Sequence, residues 1–299
     1  MGGKMRRRTL AVVLAISFPV LAGCGGTPTD GVAAAPASLP APVPTSSSSV
    51  APPPASSSSS LPAPSTSRPA PPSTPAPPST AAVRSCRTPE FTTSDPDGGW
   101  SDGGYYVHNN MWNAGEAGPE TLRACAYDNW YVESTQPDST SVKTYPNVHK
   151  DIDNQNGKPF NDYSVIKSTF AGRGPGTGVY DVAYDLWLNG VGDGKGVTEV
   201  MVWTENLKQQ PSGDKLTTYA AAGFTYDVWA DDDGYVAFVS RSTQYAGSVD
   251  LKAMIAWAIG KGLIPPNPTV NQIGYGIEFC STGGGKARFT LSDFSVAMS

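Results

Sequence analysis

The chain has 299 residues, with 21 Lys+Arg against 26 Asp+Glu and a net charge of −5. Five of the basic residues (Lys4, Arg6, Arg7, Arg8, Arg68) and one acidic residue (Asp30) precede residue 84, so residues 84–299 carry −9. An acidic region of that size without a basic stripe argues against nucleic-acid binding and suits a neutral substrate. With 2 His and 4 Cys in the chain, transition-metal catalysis is disfavoured, and no phosphate loop or dinucleotide fingerprint implies a cofactor.

The basic start, an apolar run over 10–21 and then Leu21-Ala22-Gly23-Cys24 read as an export signal too short for a stable membrane span. Leu-Ala-Gly-Cys resembles the bacterial lipobox, in which cleavage before the cysteine leaves a lipidated N-terminal Cys24. Residues 1–23 are therefore expected to be a leader, and the protein to be exported and held on the outer face of the cell membrane or shed. Residues 24–83 are nearly all Pro, Ser, Thr and Ala, with no aromatic side chain. Such a stretch cannot bury enough apolar surface to offset its ordering, so a Pro-stiffened tether is expected. The folded domain is then 84–299, expected to work as a monomer.

Within it, short alternating runs separated by Gly, Asn, Asp and Ser clusters predict strands over 105–112, 123–132, 142–145, 165–169, 180–188, 197–204, 216–219, 224–230, 234–240, 270–279 and 287–297. That frequency predicts an all-β sandwich of two antiparallel sheets. One helix is predicted over 248–261, capped by Ser248, with an apolar stripe of Leu251, Met254, Ile255, Ala258 and Ile259, and stopped by Gly260, Gly262 and Pro265. It should lie against one sheet. With Cys24 in the lipobox, one pair can form among the remaining three cysteines. Cys86 with Cys125 is favoured because it ties down the edge where the tether joins, leaving Cys280 as a free thiol.

Three of the strands carry carboxylates on a face opposite an apolar one. In 197–204, Val197, Glu199, Met201 and Trp203 share one side and Val200 and Val202 the other. In 180–188, Asp181, Ala183, Asp185 and Trp187 oppose Val182, Tyr184, Leu186 and Leu188. In 275–280, Gly276, Glu278 and Cys280 oppose Tyr275, Ile277 and Phe279, and a glycine inside a strand permits close approach of a ligand or another backbone. Paired carboxyls beside flat tryptophans, without metal or cofactor, suit glycoside hydrolysis.

These stretches resemble glycoside hydrolase family 12, the retaining endo-β-1,4-glucanases. VHNNMW (107–112), VAYDLWL (182–188), EVMVW (199–203) and GYGIEF (274–279) follow the order of that family's motifs. The resemblance implies a β-jelly-roll with a substrate cleft on its concave sheet and one helix on the convex side. It also implies that Glu199 is the nucleophile, Glu278 the acid/base and Asp185 the hydrogen-bonding partner of the nucleophile. Asn110, Trp112, Met201 and Trp203, with Trp187, would contact the sugars of a β-glucan. The sequence departs from the family at Met111, Asn113 and Cys280, which leaves subsite preference open among cellulose, mixed-linkage glucan and xyloglucan. A non-catalytic carbohydrate-binding module would use the same sandwich and tryptophans, yet binding has no need of two glutamates on neighbouring strands.

Overall fold

The computed structural model describes residues 84–192 and 194–299; the expected leader (1–23), Cys24 and the expected tether (24–83) lie outside them. In chain order the strands are β1 (Phe91–Thr93), β2 (Gly99–Asp102), β3 (Tyr105–His108), β4 (Glu120–Ala126), β5 (Asn129–Ser134), β6 (Asn147–Asp151), β7 (Lys158–Pro159) and β8 (Ile166–Arg173). They continue with β9 (Val179–Leu188), β10 (Thr198–Leu207), β11 (Asp214–Ala221), β12 (Phe224–Ala230), β13 (Tyr235–Ser240) and β14 (Ala246–Asp250). Helix α1 (Leu251–Gly260) precedes β15 (Thr269–Ser281) and β16 (Ala287–Met298). A six-stranded sheet runs β1-β4-β5-β16-β8-β14, and a ten-stranded sheet runs β11-β12-β13-β10-β9-β15-β6-β3-β2, with β7 paired to β15.

The alternation of the central strands sets the layers. Val182, Tyr184, Leu186, Val200, Val202, Tyr275 and Ile277 are buried in the main core, facing Phe170, Phe289, Leu291 and Phe294 of the smaller sheet. Tyr184 and Tyr275 pack their rings 4.7 Å apart between the sheets and against Phe170 and Phe294. Their hydroxyls are satisfied at Ser168 Oγ (2.8 Å) and Thr204 Oγ1 (2.9 Å). Burying each such ring stabilises by roughly 2–3 kcal/mol, provided the hydroxyl keeps its partner.

The one strand expected over 123–132 is the antiparallel β4–β5 pair, turned at Tyr127 and Asp128, and four further departures from the sequence expectation bear on the fold. The β10–β13 pair is parallel, because the chain leaves β10 to form the outer β11–β12 pair before returning, so the large sheet is not wholly antiparallel. The strand expected over 142–145 is a strap instead: Lys143 N donates to Phe279 O and Phe279 N to Thr144 O, but Pro146 has no N–H and a ladder resumes only at β6. The helix starts later, since Ser248 and Val249 pair with β8, and Asp250 rather than Ser248 caps it by accepting from Ala253 N at 3.0 Å. Its far end is closed by Gly262 N to Ile259 O and Leu263 N to Ala258 O, with Gly262 at φ +75°. Leu251, Met254, Ile255 and Ala258 are buried, and Trp257 packs on Phe238 and Tyr219, so the helix lies on the core side of the large sheet.

The cysteines give the fourth. Cys86 and Cys125 are bridged as expected. Cys280, however, is not a free thiol: it is fully buried near the end of β15 with Sγ 3.4 Å from Gln209 Oε1, and no described cysteine is free.

Candidate active site

The outward face of β9, β10 and β15 carries the expected carboxylates in one field. Across β9 and β10 the register sets Glu199 beside Trp187, Met201 beside Asp185 and Trp203 beside Ala183. Across β9 and β15 it sets Asp185 beside Gly274, Ala183 beside Gly276 and Asp181 beside Glu278. Asp185 thus sits diagonally from Glu199, a position from which side chains on adjacent strands reach one another. Two tyrosines reach this face, Tyr145 Oη donating to Ala183 O at 3.1 Å and Tyr235 Oη to Met201 Sδ at 3.3 Å. Both Tyr145 and Tyr235 are fully buried phenols pushed well above the usual range, first by burial and then by the charges of Asp181, Asp185, Glu199 and Glu278.

Asp185 and Glu278 sit above the usual carboxylate range. Burial is the larger cause in each, the charge of Glu278 adds to it at Asp185, and a hydrogen bond from Trp187 pulls Asp185 partly back. Among the described residues no cation contributes to either. Glu278 Oε2 accepts from Gln209 Nε2 at 2.7 Å. That glutamine is placed by a turn in which Lys208 has φ +65° and the Asn206 side chain holds the Gln209 backbone.

Met201 and Trp203 join Ala183, Tyr235 and Ala237 in a second apolar cluster on this face, separate from the main core. Trp203 Nε1 and Tyr235 Oη both donate to Met201 Sδ at 3.3 Å, so the two residues form a packed floor rather than free-standing platforms. Trp187 is half-buried. Trp112 is not on a strand; it lies in the turn after β3, packed against the buried pair Val142 and Cys280. Asn110, at φ +42°, precedes it and accepts from Tyr145 N through its carbonyl. Gly276 serves a backbone: a Cβ there would lie 2.2 Å from Pro146 O, so the strap and β15 can approach only because the side chain is absent. Sequence reasoning placed Asp181 on this face without singling it out, and missed Gln209, Tyr145 and Tyr235. The alternation in 180–188 held the signal for Asp181; nothing local marked the other three.

Residues 103–299 match the family described as Glycosyl hydrolase family 12. The chain belongs to that family. It is a glycoside hydrolase. Among similar proteins, the xyloglucan-specific endo-β-1,4-glucanase A of Emericella nidulans is 26% identical over 212 residues, covering 66% of this chain and 87% of the relative. The xyloglucanase domain of a type three effector from Sinorhizobium fredii, solved with cellobiose, superposes with a TM-score of 0.61 at 26% identity, over 71% of this chain and all of that domain. An endoglucanase from Rhodothermus marinus superposes with a TM-score of 0.61 at 25% identity, over 70% of this chain and 99% of the other. Family 12 membership accounts for the two-sheet sandwich and, among the described residues, its one α-helix.

Proposed function

We propose that this family 12 enzyme cleaves internal β-1,4-glucosidic bonds of a β-glucan by retaining double displacement. The observation that carries the reading is the register of β9, β10 and β15, which brings Glu199, Asp185 and Glu278 to one sheet face. Glu278, its carboxyl raised by burial, gives its proton to the glycosidic oxygen while Glu199 attacks the anomeric carbon and forms a glycosyl-enzyme. Water then attacks that carbon and returns a proton to Glu278, so configuration is retained. Asp185 orients Glu199 and tunes its charge. Met201, Trp203 and Trp187 floor the sugar sites, and Asn110 and Trp112 border them. The xyloglucan-specific names of the similar proteins favour xyloglucan among the glucans.

Release of reducing ends from xyloglucan, mixed-linkage glucan and carboxymethyl cellulose by the full chain tests this, with proton NMR of the first product. A fall in viscosity that runs ahead of reducing ends and a β-configured first product are expected; an α product would overturn retention. Export with a lipid at Cys24 completes the proposal, supported by Leu21-Ala22-Gly23-Cys24 and by a Cys86–Cys125 bridge suited to an oxidising compartment. Cys24→Ala should release the protein from membranes, and a wild-type protein wholly free in the medium with an unmodified N-terminus would contradict the anchor.

A further inference from the structure

Asp181 has no place in the mechanism above, yet it sits in the middle of the site. It is 0% exposed, and it is the direct register partner of Glu278 across β9 and β15. Among the described residues no N–H or neutral O–H reaches either of its carboxyl oxygens. Its other register partner, Asn206 on β10, could donate but uses its amide on the Gln209 backbone. The one hydrogen-bonding neighbour left to Asp181 is the Glu278 carboxyl. Two carboxylates cannot bond to each other, so that contact exists only when the pair holds a proton. The surroundings decide where the proton rests. Asp185 on the same strand, Glu199 on β10, and the phenols of Tyr145 and Tyr235 supply no positive charge. The buried Lys143 amine donates to the Cys280 carbonyl, and the acids whose charge reaches it are Glu116 and Asp138 rather than the Asp181–Glu278 pair. Glu278 has a second donor in Gln209, 2.7 Å away, whereas Asp181 has none, so the ionised form is better supported at Glu278 and the proton stays on Asp181.

We propose that Asp181 is a positioning residue for the acid/base, a carboxyl that keeps its own proton through the cycle and donates a hydrogen bond to Glu278 whenever Glu278 is ionised. The inference rests on Glu278 being the acid/base. In the first step the Glu278 O–H bond breaks, its proton goes to the leaving oxygen, the glycosidic bond breaks, and Glu199 bonds to the anomeric carbon. The carboxylate formed at Glu278 accepts from Asp181 O–H and Gln209 Nε2. In the second step water bonds to the anomeric carbon, the Glu199 ester breaks, and the water proton restores Glu278. Asp181 ends each step with the proton it began with. A protonated carboxyl in this place makes Glu278 a stronger acid than burial alone would leave it, so it lowers the pH at which the alkaline limb of kcat/KM falls.

The test compares Asp181→Leu, which fills the space without a donor, and Asp181→Asn, which keeps one, on soluble β-glucan and on 2,4-dinitrophenyl β-cellobioside. For Asp181→Leu, kcat/KM on glucan should fall about ten-fold or more, and its alkaline limb should move up by about one pH unit. The dinitrophenyl substrate, whose leaving group needs no proton, should keep its kcat/KM. Asp181→Asn should hold both limbs near wild type and retain glucan hydrolysis within about three-fold, since an amide donates without titrating. An Asp181→Leu enzyme with an unmoved alkaline limb, or with equal losses on both substrates, would overturn the inference. So would a folded Asp181→Asn enzyme inactive on glucan, which also decides the matter if the leucine variant does not fold. Glu278→Gln run in parallel separates the two levels. If it hydrolyses glucan normally, the acid/base assignment itself is wrong; if it loses glucan but keeps the dinitrophenyl substrate, a negative result at Asp181 counts against Asp181 alone.

Discussion

Two groups of acids on the same sandwich are treated in opposite ways. On β5 of the smaller sheet, Glu133 gathers Arg123 (3.0 Å), Lys286 (2.9 Å) and Arg288 (2.6 Å). Its carboxyl falls to about 2, through hydrogen bonds from Arg288 and then Lys286. On the outward face of the large sheet, Asp181, Asp185 and Glu278 meet no cation among the described residues and are raised, chiefly by burial. Both groups are cross-strand arrangements on β-sheet faces, so strand geometry does not separate them. The neighbours do: a cationic shell makes an acid a permanent anion that tethers strands, while its absence leaves protons available to move.

The comparison is broken most severely by removing the cleft glutamates. Glu199→Gly should lower glucan turnover by about 10⁴-fold or more, as loss of a nucleophile does, and azide entering the vacated space should give an α-glycosyl azide. Glu278→Gly should also lose glucan but still accept an activated aryl glycoside, and azide should then intercept the intermediate as the β product. Products of the opposite configuration, read by NMR, would reverse the two assignments. Because a glutamate on the outward sheet face contributes less to packing than a core residue, neither variant should be less stable than wild type by more than about 1 kcal/mol. A smaller effect is expected from Asp185→Asn. If it only orients and tunes Glu199, rate should fall about 10- to 100-fold without a change of product configuration; an inverted product would give Asp185 a larger part.

How far such roles were legible depended on how local their cause is. The alternation in 180–188, 197–204 and 275–280 separated core from cleft correctly, because a two-residue period leaves each side chain only two faces. It put Glu199, Asp185 and Glu278 on one face, which is where the strand register sets them. Asp181 lay on the same face, but its importance comes from the register with Glu278, which no local pattern encodes. Gln209 was further out of reach, since a left-handed Lys208 turns it back toward β15. The helix cap was misplaced by two residues because Ser248 and Asp250 are both good caps, and pairing of Ser248 with Thr169 settled the choice. At Cys280, elimination among cysteines gave a free thiol, and elimination is a count rather than a geometry.

Glu120 on β4 separates burial from catalysis. It is 3% exposed, accepts from Thr144 Oγ1 at 3.0 Å with Ser134 and Gln136 beside it, meets no cation among the described residues, and is raised to about 7 by burial. A raised carboxyl favours folding most below its unfolded value of about 4.5, and that contribution is lost as pH rises through about 7. Wild-type stability should therefore decline over this interval by on the order of 2–3 kcal/mol beyond the trend of Glu120→Gln, which cannot ionise. Urea denaturation at pH 5 and pH 8 measures it. Parallel wild-type and variant curves would show that Glu120 is not held neutral, and that missing cations alone do not raise a buried acid in this fold.

The smallest effect belongs to Glu133, and it runs the other way. Its folded value is about 2, below the ordinary carboxylate value of about 4.3. Its stabilisation is present above the unfolded value and disappears as pH falls through about 2. Lys286 and Arg288 are more than half exposed, so water and salt screen much of the attraction, and Glu133→Gln should cost only about 1 kcal/mol near neutrality. The loss should shrink toward pH 2 and in molar salt, with glucan turnover unchanged throughout. A cost at pH 2 equal to that at pH 7 would mean that Glu133 acts by packing on Tyr131 and its neighbours rather than by charge. The contrast with the cleft would then lose one of its two poles.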